Sequence, residues 1–228
     1  MTIEMTLLRS IALFKNSDEE TLTKISQHAR LRKLKSGTNI LTQGDKGETL
    51  FVIVSGTVKI TLTQSSGDEV FLALLSTGDT FGEMSLIDSN LRSANVLAKE
   101  ETVLLLLEGA CFEHLLSIST AFVKNLLNVL VRRLRMNNAR IQALSTLDVN
   151  GRVARQLCEF SDMYGTPVDA QTTLIPVRLS QSDIADIVGA SRERVNQVMV
   201  TYQEREAISV DSHHRITIHD RKWLEARF

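Results

Sequence analysis

The sequence predicts an α+β fold: an N-terminal antiparallel β-roll, then a long helix, then a C-terminal winged helix-turn-helix. Three observations predict it. Short apolar runs alternate with glycines in the first half, an apolar heptad pattern follows near the middle, and two short helical segments with capping residues follow it. We therefore predict a β-roll domain at 1–112, a long helix at 113–147 and a winged helical domain at 148–228.

The β-roll is predicted from the uneven distribution of glycine. Seven of the eleven glycines lie between positions 37 and 82, and the runs between them are "NIL", "LFVIV", "TVKITL" and "EVFLALL". In "TVKITL", Val58, Ile60 and Leu62 alternate with polar residues, which is the two-residue period of a half-buried strand. Short strands joined by glycine turns favour a small antiparallel barrel or roll.

A short helix is predicted before the roll. Ser17 and Glu20 have the spacing of a capping box, so the helix would begin at Ser17 and end near His28.

The long helix carries a narrow apolar seam. Apolar residues recur at alternating steps of four and three over about three heptads, which favours a parallel two-stranded coiled coil and hence a homodimer. A single helix lying on its own barrel is the alternative. Asn137 is a polar residue at a seam position, where it can set register or meet a ligand. The predicted seam is Val123, Leu127, Leu130, Leu134, Asn137, Ile141 and Leu144.

The composition is that of an ordinary soluble globular protein, with 43% hydrophobic residues and a net charge of −1. No apolar run reaches the roughly 18 residues of a membrane helix. Glu4 stands where a signal peptide would carry basic residues, so we expect a cytoplasmic protein without a membrane partner. Cys111 and Cys158 are far apart, which favours two buried thiols over a disulfide or a metal cluster.

A helix-turn-helix is predicted in "RLSQSDIADIVGASRERVNQVMVTYQ". Ser180 can cap the first helix, and Gly189 can supply the positive φ of a sharp turn. Ser191 can cap the second helix, whose Val195 and Val198 would face inward. The segments "ISV" and "HRITIHD" then predict a hairpin wing. A hinge is expected before this domain, near Asp148.

The second helix would present polar side chains to the DNA major groove, because Arg bonds guanine O6/N7 and Glu accepts from cytosine N4. A helical hairpin used only for packing is the alternative. From Asp148 onward there are ten Lys/Arg against twelve Asp/Glu, so attraction to DNA would come from a local face. The predicted DNA-binding residues are Ser180, Ser191, Arg192, Glu193, Asn196 and Gln197.

The stretch "FGEMSLIDSNLRSA" at 81–94 combines groups suited to a nucleotide. Gly82 allows backbone N–H groups to approach an anion, and Arg92 and Ser93 offer a guanidinium and a hydroxyl to a phosphate. Glu83 has the wrong charge for a phosphate but can accept from a sugar hydroxyl. A Glu–Arg salt bridge closing a surface loop is the alternative.

Together these segments resemble the cyclic AMP receptor protein (catabolite activator) family of transcription factors over essentially the whole chain. "ILTQGDKGETLFVIVSGTVKI" is similar to its β-roll and "FGEMSLIDSNLRSA" to its phosphate-binding cassette. "RRLRMNNARIQALSTLDVNGRVARQL" is similar to its dimerisation helix and hinge, and "LSQSDIADIVGASRERVNQVM" to its helix-turn-helix.

The resemblance implies a cyclic-nucleotide site in which Gly82 and Ser93 hold the cyclic phosphate, Arg92 neutralises it and Glu83 accepts from the ribose 2′-OH. Arg192 and Glu193 would contact bases. The implied ligand-binding residues are Gly82, Glu83, Met84, Ser85, Arg92, Ser93, Asn137 and Asn138.

Two positions depart from the family pattern. Asn137 and Asn138 stand where cyclic-AMP binders commonly have Thr and then Ser, and Asn138 could accept from an exocyclic amine across a dimer. Gln197 stands where the family usually has Arg or Lys, and Gln prefers adenine edges.

We therefore expect a non-enzymatic, cyclic-AMP-activated regulator without a cofactor that binds double-stranded DNA as a homodimer. RNA polymerase is an expected further partner, through the loop "MYGTPVDAQTT". Three alternatives remain. The effector could be cyclic GMP or a cyclic dinucleotide, DNA binding could be independent of ligand, or the barrel could be a metal enzyme. Only His28 precedes the long helix, in the short helix before the roll, and the roll itself has no histidine, which disfavours the enzyme. The N-terminus lacks the cysteines of an iron–sulfur sensor.

Overall fold

The structure is a computed structural model that describes residues 3–67 and 69–228. It divides into two compact units, Met1–Arg135 and Met136–Phe228. This division lies within the long helix, whereas the boundary predicted near Asp148 falls at the break between two helices.

In its described residues, the first unit contains eight strands and several short helices, and the long helix begins in it. The strands are β1 (Ala29–Leu34), β2 (Asn39–Leu41), β3 (Thr49–Ser55), β4 (Thr57–Thr63), β5 (Glu69–Ser76), β6 (Thr80–Phe81), β7 (Asn95–Ala98) and β8 (Thr102–Glu108). The helices are α1 (Met5–Ser10), a 3₁₀ turn (Ala12–Phe14), α2 (Glu19–His28), α3 (Met84–Ile87), α4 (Gly109–Ile118) and α5 (Thr120–Thr146), which runs on into the second unit.

Two four-stranded antiparallel sheets form the predicted β-roll. Their strand orders are β1-β8-β3-β6 and β2-β7-β4-β5. The four apolar runs of the sequence correspond to β2, β3, β4 and β5, so this part of the fold prediction is confirmed.

The continuous apolar run in β3 arises because this strand is buried on both faces. Phe51 and Ile53 point into the core between the two sheets, where the Phe51 ring stacks on Phe81 at 4.9 Å. Leu50 and Val52 point the other way, into a core formed with the helices. A strand covered on both sides loses the polar alternation of a half-exposed strand.

Burial along β4 does not follow the predicted simple alternation. Val58 is fully buried, whereas Ile60 and Leu62 are only half-buried and Thr61 is buried. The pairing of β4 with β5 shifts register between Ile60 and Thr61, and a β-bulge of this kind changes the direction of the neighbouring side chains.

The capping residue predicted for α2 is wrong by one position. Asp18, not Ser17, is the N-cap, and its carboxylate accepts a hydrogen bond from the Thr21 amide at 2.7 Å. Hydrogen bonding to Thr21 lowers the pKa of Asp18 below its usual value. Ser17 is instead buried, and its hydroxyl has no partner.

Helix α5 presents two different stripes. Phe122 and Leu126 are buried in the core of the first unit, and the Asn125 amide donates to the carbonyls of Leu13 and Lys15 at 3.1 and 2.7 Å. The predicted seam is a separate stripe. Its exposed apolar members are Leu127 (55%), Leu134 (60%), Ile141 (63%) and Leu144 (47%), with Val123 and Leu130 half-buried.

The second unit has the predicted helical order. Its elements after α5 are α6 (Val149–Tyr164), β9 (Thr166–Pro167), β10 (Thr173–Ile175), α7 (Gln181–Val188), α8 (Arg192–Glu204), β11 (Ile208–Val210), β12 (Ile216–Ile218) and α9 (Arg221–Glu225). Strands β11 and β12 form the predicted wing hairpin, with His213 and His214 at its exposed tip. The segment "MYGTPVDAQTT" is partly structured, because it contains β9 and ends at Thr173, the first residue of the strand β10 that pairs with β9.

No single helix within residues 3–67 and 69–228 combines the length and apolar character needed to cross a membrane. Helices α4 and α5 meet that requirement only as a pair, with a bend of 109° between them. No group of His, Cys, Asp and Glu in the same residues could hold a metal ion.

Candidate functional site

Arg92 is the buried centre of the segment 81–94. Its side chain is only 5% exposed and donates three hydrogen bonds to uncharged acceptors. Nη1 bonds the Gly82 carbonyl at 2.7 Å and the Ser85 hydroxyl at 2.8 Å, and Nη2 bonds the Thr49 carbonyl at 2.9 Å. Its Nε is buried without a partner. The guanidinium therefore keeps unused donor capacity.

Two glycines make room for this guanidinium. A Cβ on Gly47 would lie 2.0 Å from Arg92 Nε, and a Cβ on Gly82 would lie 2.8 Å from Nη1. Gly82 also has φ +83°, a conformation that other residues rarely adopt. The backbone at Gly47 and the backbone at Gly82 therefore both pack closely against the Arg92 guanidinium.

Arg92 is not neutralised by a carboxylate within the described chain. Burial lowers the pKa of Arg92, and the nearby charge of Glu83 opposes that effect. The Glu83 carboxylate bonds Arg133 instead, with Oε1 2.6 Å from Nη1. The alternative of a Glu83–Arg92 bridge closing a surface loop does not match this geometry, because the two side chains are buried and bond different partners.

Glu83 has one carboxylate oxygen that accepts no hydrogen bond from the protein. The residue is 2% exposed, and Oε2 is buried without a hydrogen-bond partner. Arg133 also donates to the Thr80 carbonyl, which fixes its position beside Glu83. A buried carboxylate oxygen without a partner is costly, and a hydroxyl donor from a ligand would satisfy it.

The other predicted cassette residues differ in exposure. Ser85 is buried and accepts from Arg92, as described. Met84 is 50% exposed, and the exposed Ser93 hydroxyl donates to its sulfur at 3.5 Å. Asn137 and Asn138 are exposed on α5, in the second unit. Their contact with a ligand stays a prediction.

Sequence reasoning missed Arg132 and Arg133, the two cations of "VRRLR". Arg132 bonds the buried Asp79 carboxylate at 2.8 Å, and Arg133 bonds Glu83. A signal was available, because buried acids need cationic partners and this helix carries two adjacent arginines. Gly47 was also missed, since its importance follows from a contact with a residue distant in sequence.

The capping residues of the helix-turn-helix are where the sequence predicts them. The Ser180 hydroxyl accepts from the Asp183 amide at 3.2 Å, and the Asp183 carboxylate accepts from the Ser180 amide at 3.0 Å, which completes a capping box. Gly189 ends α7 with φ +63°. The Ser191 hydroxyl caps α8 by accepting from the Arg194 amide at 3.2 Å.

Helix α8 buries Val195 and Val198 and presents a polar face. Two side-chain hydrogen bonds order this face. Gln181 Nε2 donates to Asn196 Oδ1 at 2.6 Å, and Arg194 Nη1 donates to Gln197 Oε1 at 3.2 Å. The predicted DNA-contacting residues that are exposed are Ser191, Arg192, Glu193, Asn196 and Gln197, while Ser180 is half-buried.

The turn between α7 and α8 is held to the end of α5 by Arg152. Its guanidinium donates to the Val188 carbonyl at 2.7 Å, the Leu147 carbonyl at 2.9 Å and the Gly189 carbonyl at 3.3 Å. These carbonyls lie at or beside helix C-termini, where a cation is favoured.

Comparison with known proteins identifies both units. Residues 31–119 match the family described as "Cyclic nucleotide-binding domain", and residues 151–227 match the "Crp-like helix-turn-helix domain". A "CRP-like cAMP-activated global transcriptional regulator" of Mycobacterium tuberculosis is 28% identical over 199 residues, which are 87% of this chain and 88% of that protein.

Two solved structures are similar in fold. FixK2 from Bradyrhizobium japonicum has a TM-score of 0.75 at 20% identity, covering 87% of this chain and 96% of that one. The c-di-GMP-responsive regulator CLP of Xanthomonas campestris has a TM-score of 0.68 at 24% identity, covering 89% of this chain and 99% of that one. With both domains present in this order, the chain is a cyclic-nucleotide-binding, DNA-binding transcription regulator and belongs to the CRP/FNR family.

Proposed function

We propose that the protein is a cyclic-AMP-activated homodimer that binds a pseudo-palindromic DNA site and contacts RNA polymerase in the cytoplasm. The observation that carries this proposal is the buried Arg92, a cation that bonds only uncharged protein groups. A buried charge is unfavourable unless it is paired, and a cyclic phosphodiester would supply the missing anion.

Glu83 supports a nucleotide rather than a simple anion. Its buried Oε2 has no hydrogen-bond donor, and a ribose 2′-OH next to the cyclic phosphate would supply one. The pair Arg92 and Glu83 therefore fits a phosphate with a neighbouring sugar hydroxyl.

The nature of the base depends on residues beyond the cassette. We propose that Asn138 accepts from the exocyclic amine of adenine across the dimer, as the sequence suggests. The Mycobacterium tuberculosis relative is named as activated by cAMP, whereas CLP is described as responsive to c-di-GMP. Cyclic AMP, cyclic GMP and cyclic di-GMP are therefore the ligands to compare.

The effector would act by favouring one arrangement of the two long helices. The exposed seam residues, such as Leu134 and Ile141, would pair with their copies, and each recognition helix α8 would enter a major groove. The two helices would then be about 34 Å apart, one turn of duplex. Effectors of this kind typically shift affinity by about 1–3 kcal/mol.

RNA polymerase contact is proposed for the segment around β9 and β10. Val168 between these strands is 61% exposed, so its side chain is accessible to a partner.

Calorimetry tests the nucleotide site. The wild type should bind cyclic AMP, and Arg92→Leu should lose binding by about 100-fold or more, because a charge-assisted hydrogen-bonded pair is removed. Arg92→Lys keeps the charge without the planar fork and should bind with intermediate affinity. Arg32→Leu, an exposed arginine on β1, is the control. Unchanged affinity in both Arg92 variants would show that the phosphate binds elsewhere.

A gel shift at fixed salt tests the switch. Cyclic AMP should raise affinity for a specific DNA site by about 5- to 150-fold. Full affinity without any nucleotide would leave a DNA-binding regulator but remove the effector from the proposal.

A further inference from the structure

The hydrogen bond between Arg194 and Gln197 orders one part of the exposed face of α8. Arg194 Nη1 lies 3.2 Å from Gln197 Oε1, one helical turn away, and both side chains are exposed. The backbone of Arg194 is itself held by the Ser191 cap, so its side chain starts from a defined position.

The chemistry of the pair decides which way the Gln197 amide faces. A guanidinium carries only hydrogen-bond donors, so the oxygen of Gln197 must point toward Arg194. The NH₂ group of Gln197 then points away from Arg194. A bidentate contact with adenine needs both groups of the amide, the oxygen for N6–H and the NH₂ group for N7.

We infer that Arg194 is a specificity-determining residue that turns Gln197 into a hydrogen-bond donor toward DNA. With its oxygen engaged, Gln197 offers N–H donors, and the unused donors of Arg194 lie beside it. Guanine presents two acceptors in the major groove, O6 and N7, whereas adenine presents one acceptor beside a donor. Arg194 and Gln197 together therefore select guanine. This replaces the preference for adenine that the sequence predicts for Gln197 alone.

The neighbouring amide has a different partner. The Asn196 oxygen accepts from Gln181 Nε2 of the preceding helix at 2.6 Å, so Gln197 is the amide that Arg194 orients. Val195 and Val198 are buried, which fixes the rotation of α8 and keeps Arg194 and Gln197 on the same side. The inference rests on the proposed function in one respect, that α8 enters the major groove.

Selection from randomised duplex DNA, with the full-length protein and cyclic AMP at fixed salt, tests the inference. The base pair that Gln197 contacts is the one whose preference disappears in Gln197→Ala. At that pair the wild type should favour guanine over adenine by roughly tenfold. In Arg194→Met the preference for guanine should disappear or reverse toward adenine, because the Gln197 amide oxygen is no longer bonded to Arg194 and can accept from the base. Arg205→Met, which removes a positive charge at the other end of α8, is the control and should keep the guanine preference.

Three results would overturn the inference. A wild type that favours adenine at this pair would mean that the Gln197 oxygen contacts the base. A uniform loss of affinity in Arg194→Met, with the base preference unchanged, would make Arg194 a phosphate contact only. If the wild type shows no sequence-specific binding at all, the proposed function fails together with the inference. The first two results overturn the inference alone.

Discussion

At the scale of single residues, the site depends on one arginine held by groups of its own segment and of the distant stretch 47–49. Arg92 bonds Thr49, Gly82 and Ser85, and it lies against the Cα of Gly47. All of these contacts are with uncharged groups, so the position of the guanidinium is determined by packing and hydrogen bonds rather than by an ion pair. A small change in the surrounding backbone should therefore alter ligand affinity strongly.

Gly47→Ala tests this dependence. The new Cβ would lie 2.0 Å from Arg92 Nε and 2.2 Å from Cζ, far inside van der Waals contact, so the guanidinium must move and lose hydrogen bonds. We expect nucleotide affinity to fall about tenfold or more, since one charge-assisted hydrogen bond is worth roughly 1.5–3 kcal/mol. Calorimetry measures the loss, with the exposed neighbour Lys46→Ala as control. Equal affinities in the two variants would contradict the dependence of Arg92 on Gly47.

Buried thiols are a second residue-scale feature, and they argue against redox sensing. Cys111 and Cys158 are both free and buried. Burial raises the pKa of Cys158 to about 11 and also raises the pKa of Cys111. Because the thiolate is the reactive form, neither side chain is suited to rapid oxidation near neutral pH.

At the scale of elements, the turn between α7 and α8 is constrained in two ways. Gly189 has φ +63°, and a Cβ there would lie 3.3 Å from Leu144 of α5. Arg152 donates to the Gly189 and Val188 carbonyls in the same turn. The turn is thus held by its own backbone conformation and by a cation.

Gly189→Ala should destabilise the second unit by about 1–2 kcal/mol, the cost of a left-handed conformation for a residue with a Cβ. Trp223 is the single tryptophan and packs on Tyr202 at 5.3 Å, so its fluorescence in a urea titration monitors the second unit. Gly189→Asn should lose less, because Asn tolerates this conformation better. Identical stability of Gly189→Ala and the wild type would mean that the turn can relax.

At the scale of the whole molecule, the exposed stripe of α5 is the feature that the single chain leaves unexplained. Phe122 and Leu126 are buried in the first unit, whereas Leu127, Leu134 and Ile141 are 55–63% exposed. Large apolar residues repeating every seven positions on an exposed stripe are typical of a coiled-coil seam. A second copy of the chain is the partner that this repeat favours.

Leu134→Lys should therefore weaken the proposed dimer. Each lost leucine contact costs about 1.5–3 kcal/mol, and a homodimer loses two, so the dissociation constant should rise about 100-fold or more. Sedimentation velocity across a concentration series measures the change, and circular dichroism shows whether the subunit is still folded. Lys124→Ala, an exposed polar position on the same helix, should leave the association unchanged. A wild type that is monomeric at high concentration would exclude the seam as a dimer interface.

The sequence by itself determined the order of the elements and the chemistry of the main sites. The local signals are the glycine turns, the two-residue alternation and the heptad pattern. The helix caps and the turn are also local, because the conformations of Ser180, Gly189 and Ser191 depend on their immediate neighbours. Arg92 and Glu83 could be singled out for the same reason, since both lie within one short segment.

Only the tertiary structure decided which groups meet. It paired Glu83 with Arg133, fifty residues away, and left Glu83 Oε2 and Arg92 Nε without protein partners. It also shows that Asp18, and not Ser17, caps α2, and that Arg194 donates a hydrogen bond to Gln197. Local patterns cannot predict these results, because hydrogen bonds between distant segments and the choice among adjacent capping residues depend on how the whole core packs.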